Sequence, residues 1–270
     1  MKRVAVGALA VLLLAVACHN GKPQPAHLQV LFLAGEAASS LPETVSRNNL
    51  ILVRIGTVSE ALDQRVDVVA DNEAPTPVIT KRQGWRVAWL THLDPGDPVA
   101  AAREAVAKLR GKADLIILIS SLAPQSLAAL TRAVPDIRLV VAPRPDGLTD
   151  TATTSMVGTP VVKIGYGEAA TRLDLHLAAP GESLVNEAHV RALEGEIDKH
   201  ADFVSHLDQQ AGGAERVPDY LAARPGVLAR YQRSAELAEE WREAIFRLRQ
   251  SRNRFTYGFI PGSKDAAPPQ

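Results

Sequence analysis

Five apolar residues in succession, Leu115-Ile116-Ile117-Leu118-Ile119, lie near the middle of the chain between Asp114 and Ser120. A run this short and continuous has the pattern of a buried strand. The segment before it, Asp97 to Arg110, carries helix punctuation. Asp97 can cap it, Pro98 suits its first position, and Gly111 ends it. A helix that delivers the chain into a buried strand, repeated along the sequence, requires a layered α/β domain.

The rest of the first two thirds fits that expectation. Leu28 to Ala34 reads as a first buried strand closed by Gly35. Leu50 to Ile55 and Val66 to Ala70 read as further strands, with a short helix or turn at Thr57 to Gln64. Val78 to Thr80 and Trp85 to Leu90 flank Gln83-Gly84, the signature of a hairpin. Ser126 to Ala133 reads as a helix and Leu139 to Ala142 as a strand. Pro160 to Ile164 and Thr171 to Leu177 read as another antiparallel pair around Gly165-Tyr166-Gly167-Glu168. The α/β domain therefore spans residues 28–178.

Past Pro180 the period changes. Val190, Leu193, Ile197, His200, Val204 and Leu207 recur at spacings of three and four. Val227, Tyr231, Ser234, Ala238, Trp241, Ile245 and Leu248 repeat the pattern after a break at Gly212-Gly213 and Pro218 to Pro225. Each is one heptad seam, and together they predict an antiparallel helical hairpin within residues 182–254. Residues 255–270, ending Ala-Ala-Pro-Pro-Gln, read as a disordered tail.

The N-terminus has the parts of an export signal. Lys2 and Arg3 precede an apolar run from Val4 to Ala17, which is shorter than the ~20 residues a membrane span requires. The run stops at Cys18, the one cysteine of the chain. Leu14 followed by Ala-Val-Ala-Cys resembles a bacterial lipobox. The resemblance implies a signal peptide over 1–17, lipidation of Cys18 and a tether over 18–27. It also implies a membrane anchor in the bacterial envelope, on the periplasmic side. Multiple acyl chains at ~0.8 kcal/mol per buried CH₂ make such an anchor stable.

Charge and cysteine content exclude several classes. The 30 Lys and Arg balance 30 Asp and Glu over 270 residues; loss of Lys2 and Arg3 leaves 28 against 30. That is no general nucleic-acid binder. One cysteine cannot build a disulfide framework, an Fe–S cluster or a Cys-rich zinc site.

Several strings occur together in order. Asp97-Pro98-Val99 leads to Lys112-Ala113-Asp114-Leu115-Ile116-Ile117. Ala133-Val134-Pro135-Asp136-Ile137, Gly158-Thr159-Pro160-Val161-Val162 and Arg172-Leu173-Asp174-Leu175 follow. In this order they resemble the second half of a 5'-nucleotidase-type metallophosphoesterase domain, over roughly Val87 to Leu177. The resemblance implies a reduced αββα layered sandwich, here followed by the helical hairpin. It also implies a site for two divalent metal ions where loops leave the C-terminal ends of the strands. Such ions activate water and clamp the phosphate.

At the positions that carry the family's ligands, this chain has other residues. Ala34-Gly35-Glu36-Ala37 stands for Asp-x-His, Ser120-Ser121-Leu122-Ala123 for Ser-His-Leu-Gly, and Ala142-Pro143-Arg144-Pro145-Asp146 for the Gly-Gly-His-Ser-His string; no Asn-His step occurs. Serine is a poor ligand and a guanidinium repels cations. Arg144 could instead hold phosphate or carboxylate bidentately, which makes it the anion-binding candidate; the plainer reading is a solvated loop arginine.

The expectation is thus a metal-free domain without catalytic residues, serving as a binding or scaffolding module whose hairpin meets a protein partner. One alternative is a phosphoesterase with two divalent metal ions on a rearranged site of Asp71, Asn72 and Asp146. Another is a coiled-coil structural lipoprotein. Two Asp-x-His strings remain. Asp174-Leu175-His176 falls on one strand face. Asp198-Lys199-His200 falls on a helix, where i and i+2 diverge and cannot chelate together. The arginine-rich stretch Arg242 to Arg254 suits either anionic lipid heads or a helix C-terminus.

Overall fold

The computed structural model describes residues 23–34, 49–55, 66–70, 77–91, 93, 96–144, 150–153, 158–165 and 170–260. The expected short helix at Thr57 to Gln64 lies outside them. Two six-stranded sheets form the body. The first contains β1 (Ala26–Ala34), β2 (Leu50–Ile55), β3 (Val68–Val69), β10 (Ala170–Leu177), β11 (Leu184–Asn186) and β12 (Asn253–Ile260), in the order β11-β12-β10-β1-β2-β3. The second contains β4 (Val78–Arg82), β5 (Trp85–Leu90), β6 (Leu115–Ile119), β7 (Leu139–Arg144), β8 (Asp150–Thr153) and β9 (Pro160–Gly165), in the order β4-β5-β6-β7-β9-β8. Helices α1 (Pro98–Leu109) and α2 (Pro124–Ala133) pack on the second sheet. Both sheets mix parallel and antiparallel neighbours, so the fold is an α/β layered sandwich.

The continuous apolar run of β6 now has its reason. Leu115, Ile117 and Ile119 face the other sheet with Trp85, Val87 and Trp89 of β5. Ile116 and Leu118 face α1 and α2, against Val106, Leu109, Leu127 and Leu130. A parallel strand covered on both sides has no polar face. β6 pairs in parallel with β5 and with β7, placing Ile116 beside Ala88 and Ile117 beside Leu139.

The buried tryptophans keep their indole N–H groups satisfied, as burial of a polar group demands. Trp89 Nε1 donates to Thr80 Oγ1 at 3.0 Å. Trp85 Nε1 donates to the carbonyl of Gln24 at 2.8 Å, which ties the start of β5 to the chain just before β1. Phe32 meets Trp89 edge-on across the sheets at 6.4 Å.

Local signals explain the connections. Gln83 (φ 47°) and Gly84 (φ 83°) both adopt positive φ, as the β4–β5 hairpin requires. Asp97 caps α1 by accepting from Ala100 N at 2.9 Å, and Gly111 leaves it with φ 74°.

Three expectations need correction. Pro160 to Ile164 and Thr171 to Leu177 are not partners: β9 runs parallel to β7 in the second sheet, whereas β10 lies between β1 and β12 in the first. The connection between them changes sheets, so Gly165 opens a crossover rather than a hairpin turn. Residues from 255 onward are not all tail, because Asn253–Ile260 form β12, inserted between β10 and β11. The tether is shorter than 18–27, because Ala26 and His27 already pair with Leu177 and His176.

Beyond β11, the chain forms α3 (Glu187–Ala211), a 3₁₀ turn at Ala214–Arg216, α4 (Val217–Ala222) and α5 (Pro225–Arg249). The two long helices, each ~37 Å at 1.5 Å per residue, pack chiefly on each other. Their shared seam holds Leu193, Ala244 and Ile245, flanked by Val190, Ile197, Trp241 and Leu248. Gly212 (φ 80°) terminates α3 and accounts for the break.

Candidate functional site

Strands β5, β6, β7 and β9 all run in one direction, so their C-terminal ends share one rim. This is where the sequence resemblance expects metal-bearing loops. Beyond Ile119 the chain passes through Ser120 to Ala123 into the first turn of α2 at Pro124. Ser120 N–H donates to Val141 O at 2.9 Å, and Ser120 Oγ accepts from Leu122 N–H at 3.3 Å. The hydroxyl thus shapes a turn. Ser121 is exposed, Thr91 is half-buried after β5, and Leu93 is buried.

The backbone of Arg144 pairs with Gly165 at the end of β7; its side chain lies outside the described residues. So do Asp71, Asn72, Asp146 and Glu36. Among the described residues, no group of three or more His, Cys, Asp or Glu is arranged to hold a metal ion. The residues described in the β5 and β6 loops at this rim, Thr91, Leu93, Ser120 and Ser121, are hydroxyl-bearing or apolar.

The Asp174-Leu175-His176 string is on β10, with Leu175 in the core and its neighbours outward. Sequence periodicity anticipated that shared face. It did not anticipate His27, which the β1–β10 register sets directly opposite His176. The two imidazoles stack at 4.4 Å, 5° from parallel. Asp174 is 8% exposed and accepts from Arg172 Nε at 2.8 Å and from Gln29 Nε2 at 3.1 Å. His27 Nε2 lies 3.5 Å from its Oδ1. The carboxylate is occupied and the rings lie face to face, so this is a polar seam across the sheet's outer surface.

On the hairpin, His200 Nδ1 lies 2.7 Å from Ser234 Oγ, joining two seam positions across the helices. Asp198 is exposed, so it and His200 diverge as expected. Most arginines of the stretch have an acidic partner, chiefly from outside it. Arg242 pairs with Glu239 at 2.9 Å, Arg247 with Glu243 at 2.8 Å, Arg249 with Glu194, and Arg252 with Glu182 at 2.8 Å. Arg254 donates to the carbonyls of Leu248 and Arg249 at 3.4 Å, closing the end of α5. These contacts favour the helix C-terminus over lipid heads. Beside them Phe246 is 67% exposed, at the edge of a groove of about 300 Å³ shared with Ile197 and Ile245.

Among the described residues, no helix is long and apolar enough to cross a membrane. In comparisons with known proteins, no family model matches the chain and no curated protein matches it significantly.

Proposed function

We infer that the protein is an envelope-anchored lipoprotein. Its sandwich would be a degenerate 5'-nucleotidase-like domain that acts as a binding or scaffolding module. The observation that carries this reading is the chemistry of the rim where catalysis would occur. Ser120 spends its hydroxyl on a turn, and Ser121, Leu122 and Ala123 follow. Water activation by two metals needs carboxylates and imidazoles converging from several loops, and serines do not replace them. Parallel strands feeding one rim support the reading, since that is the architecture the resemblance implies.

The hairpin is the partner surface in this reading. Its long helices touch the sandwich mainly through β11 and β12, and they expose Phe246. A rigid arm bearing an exposed aromatic beside apolar seam residues suits protein recognition.

A colourimetric phosphatase assay on the purified protein, with added manganese or cobalt, tests the reading. The expected result is no turnover above buffer. Clear turnover that a chelator abolishes would overturn it and favour a rearranged metal site.

A further inference from the structure

The opposite rim of the second sheet holds a different feature. At the N-terminal ends of β6 and β7, a groove of about 360 Å³ opens between the end of α1 and the β10–β11 connection. Its floor is apolar, with Val106, Leu109 and Ile116; Arg110 and Arg138 reach it from two separate loops. Arg86 also lines it but is committed to Asp114 and to the carbonyl of Gly111. Arg110 and Arg138 make no side-chain hydrogen bond or ion pair with any described residue.

The end of α1 does not account for these two cations. Its carbonyls at Ala107 and Leu109 already accept backbone N–H groups from Arg110, Lys112 and Ala113. Two free guanidiniums over an apolar floor match a phosphate group with hydrocarbon attached. Asp136 on the lip is the opposing charge, which leaves the unpaired groups with a net positive charge.

The position of the groove selects the source of that phosphate. Trp85, which precedes Arg86, is bonded to Gln24, so β1 of the first sheet begins, at Ala26, at this same end of the sandwich. Cys18 lies eight residues before Ala26, a span of at most ~29 Å. If Cys18 is lipidated, the rim bearing the groove is held near the bilayer surface. We propose that Arg110 and Arg138 form a site for the headgroup of an anionic phospholipid in the membrane that anchors the chain. The site rests on the anchored reading and is separate from the rim discussed for catalysis. Bound there, the headgroup would fix the orientation of the sandwich, with the β1 start toward the bilayer.

Native mass spectrometry of the full mature chain, released from neutral detergent with equal phosphatidylglycerol and phosphatidylcholine, tests this. Preferential retention of phosphatidylglycerol is expected. Arg110→Ala with Arg138→Ala should weaken it at least about tenfold, since each loses a charge-assisted hydrogen bond. Asp136→Asn should tighten it by removing repulsion. Matching circular dichroism melts show that the variants are folded. Equal retention of the two lipids, or no effect of the double substitution, overturns the proposal. Inorganic phosphate that displaces the lipid at equal concentration also overturns it, by making free phosphate the ligand. Labelled fatty acid at Cys18 reports the anchor independently, so a failed groove on an anchored protein refutes this inference alone.

Discussion

Asp114 holds Arg86 by both of its oxygens. Its Oδ1 accepts Nη2 at 2.7 Å, and its Oδ2 accepts Nε at 3.0 Å together with the backbone N–H of Arg86 at 2.9 Å. The backbone returns the contact, with Asp114 N–H donating to Arg86 O at 2.8 Å. One residue pair thereby sets the β5–β6 register at the rim where both strands begin. Burial pushes the Asp114 carboxyl up, but the hydrogen bonds and charge of Arg86 outweigh it and hold it below the ordinary aspartate value. The hydrogen bond from Arg86 to Asp114 likewise raises the guanidinium.

A depressed carboxyl stabilises the fold above its unfolded pKa, and that stability is lost as pH falls through the lower folded value. Asp114→Asn should cost about 1–2 kcal/mol near neutral pH. Its deficit should shrink below about pH 4, where the unfolded carboxyl protonates. Urea melts of both proteins across that range check the sign; a deficit that does not vary with pH would contradict it.

Asn253 is 1% exposed and uses its whole amide. Its Oδ1 accepts from Ala178 and Ala179 N–H, and its Nδ2 donates to the carbonyls of Ala179 and Glu182. Asn253→Ala should destabilise by about 3 kcal/mol, because buried backbone groups lose their partners. Asn253→Asp should be no better, since a carboxylate cannot donate to two carbonyls. Denaturant midpoints measure both.

Phe246 projects from α5 and contributes little to the fold. Phe246→Ser should change stability by less than about 0.5 kcal/mol, as exposed positions do. It should weaken capture of any partner that docks on the hairpin. Sedimentation velocity before and after deleting residues 182–254 cannot serve alone, because β11 and β12 are needed by the sheet; the point substitution avoids that problem. Self-association abolished by Phe246→Ser would favour the coiled-coil reading.

Cys18→Ser should abolish incorporation of labelled fatty acid and shift the protein out of the membrane fraction. Persistent labelling would place the modification elsewhere.

Periodicity revealed single elements well. The β2 boundaries, the Asp97 cap, the Gln83-Gly84 turn and both helical seams follow from local rules, which act within one turn or one strand. Pairing was less legible. The antiparallel expectation for residues 160–164 and 171–177 failed because nearness in sequence does not say which sheet a strand joins. His27 was missed for the same reason: its meeting with His176 depends on the β1–β10 register, fixed by distant residues.

The sequence by itself determined the alternation of strands and helices, the change of period at Pro180 and the residue types that stand in each quoted string, such as Ser120-Ser121-Leu122-Ala123. Those are properties of side-chain chemistry and spacing. Only the tertiary structure decided that β12 returns from beyond the hairpin to complete the first sheet, and that Arg110 and Arg138 share one groove. Both depend on contacts between segments far apart along the chain, set by burial of the common core.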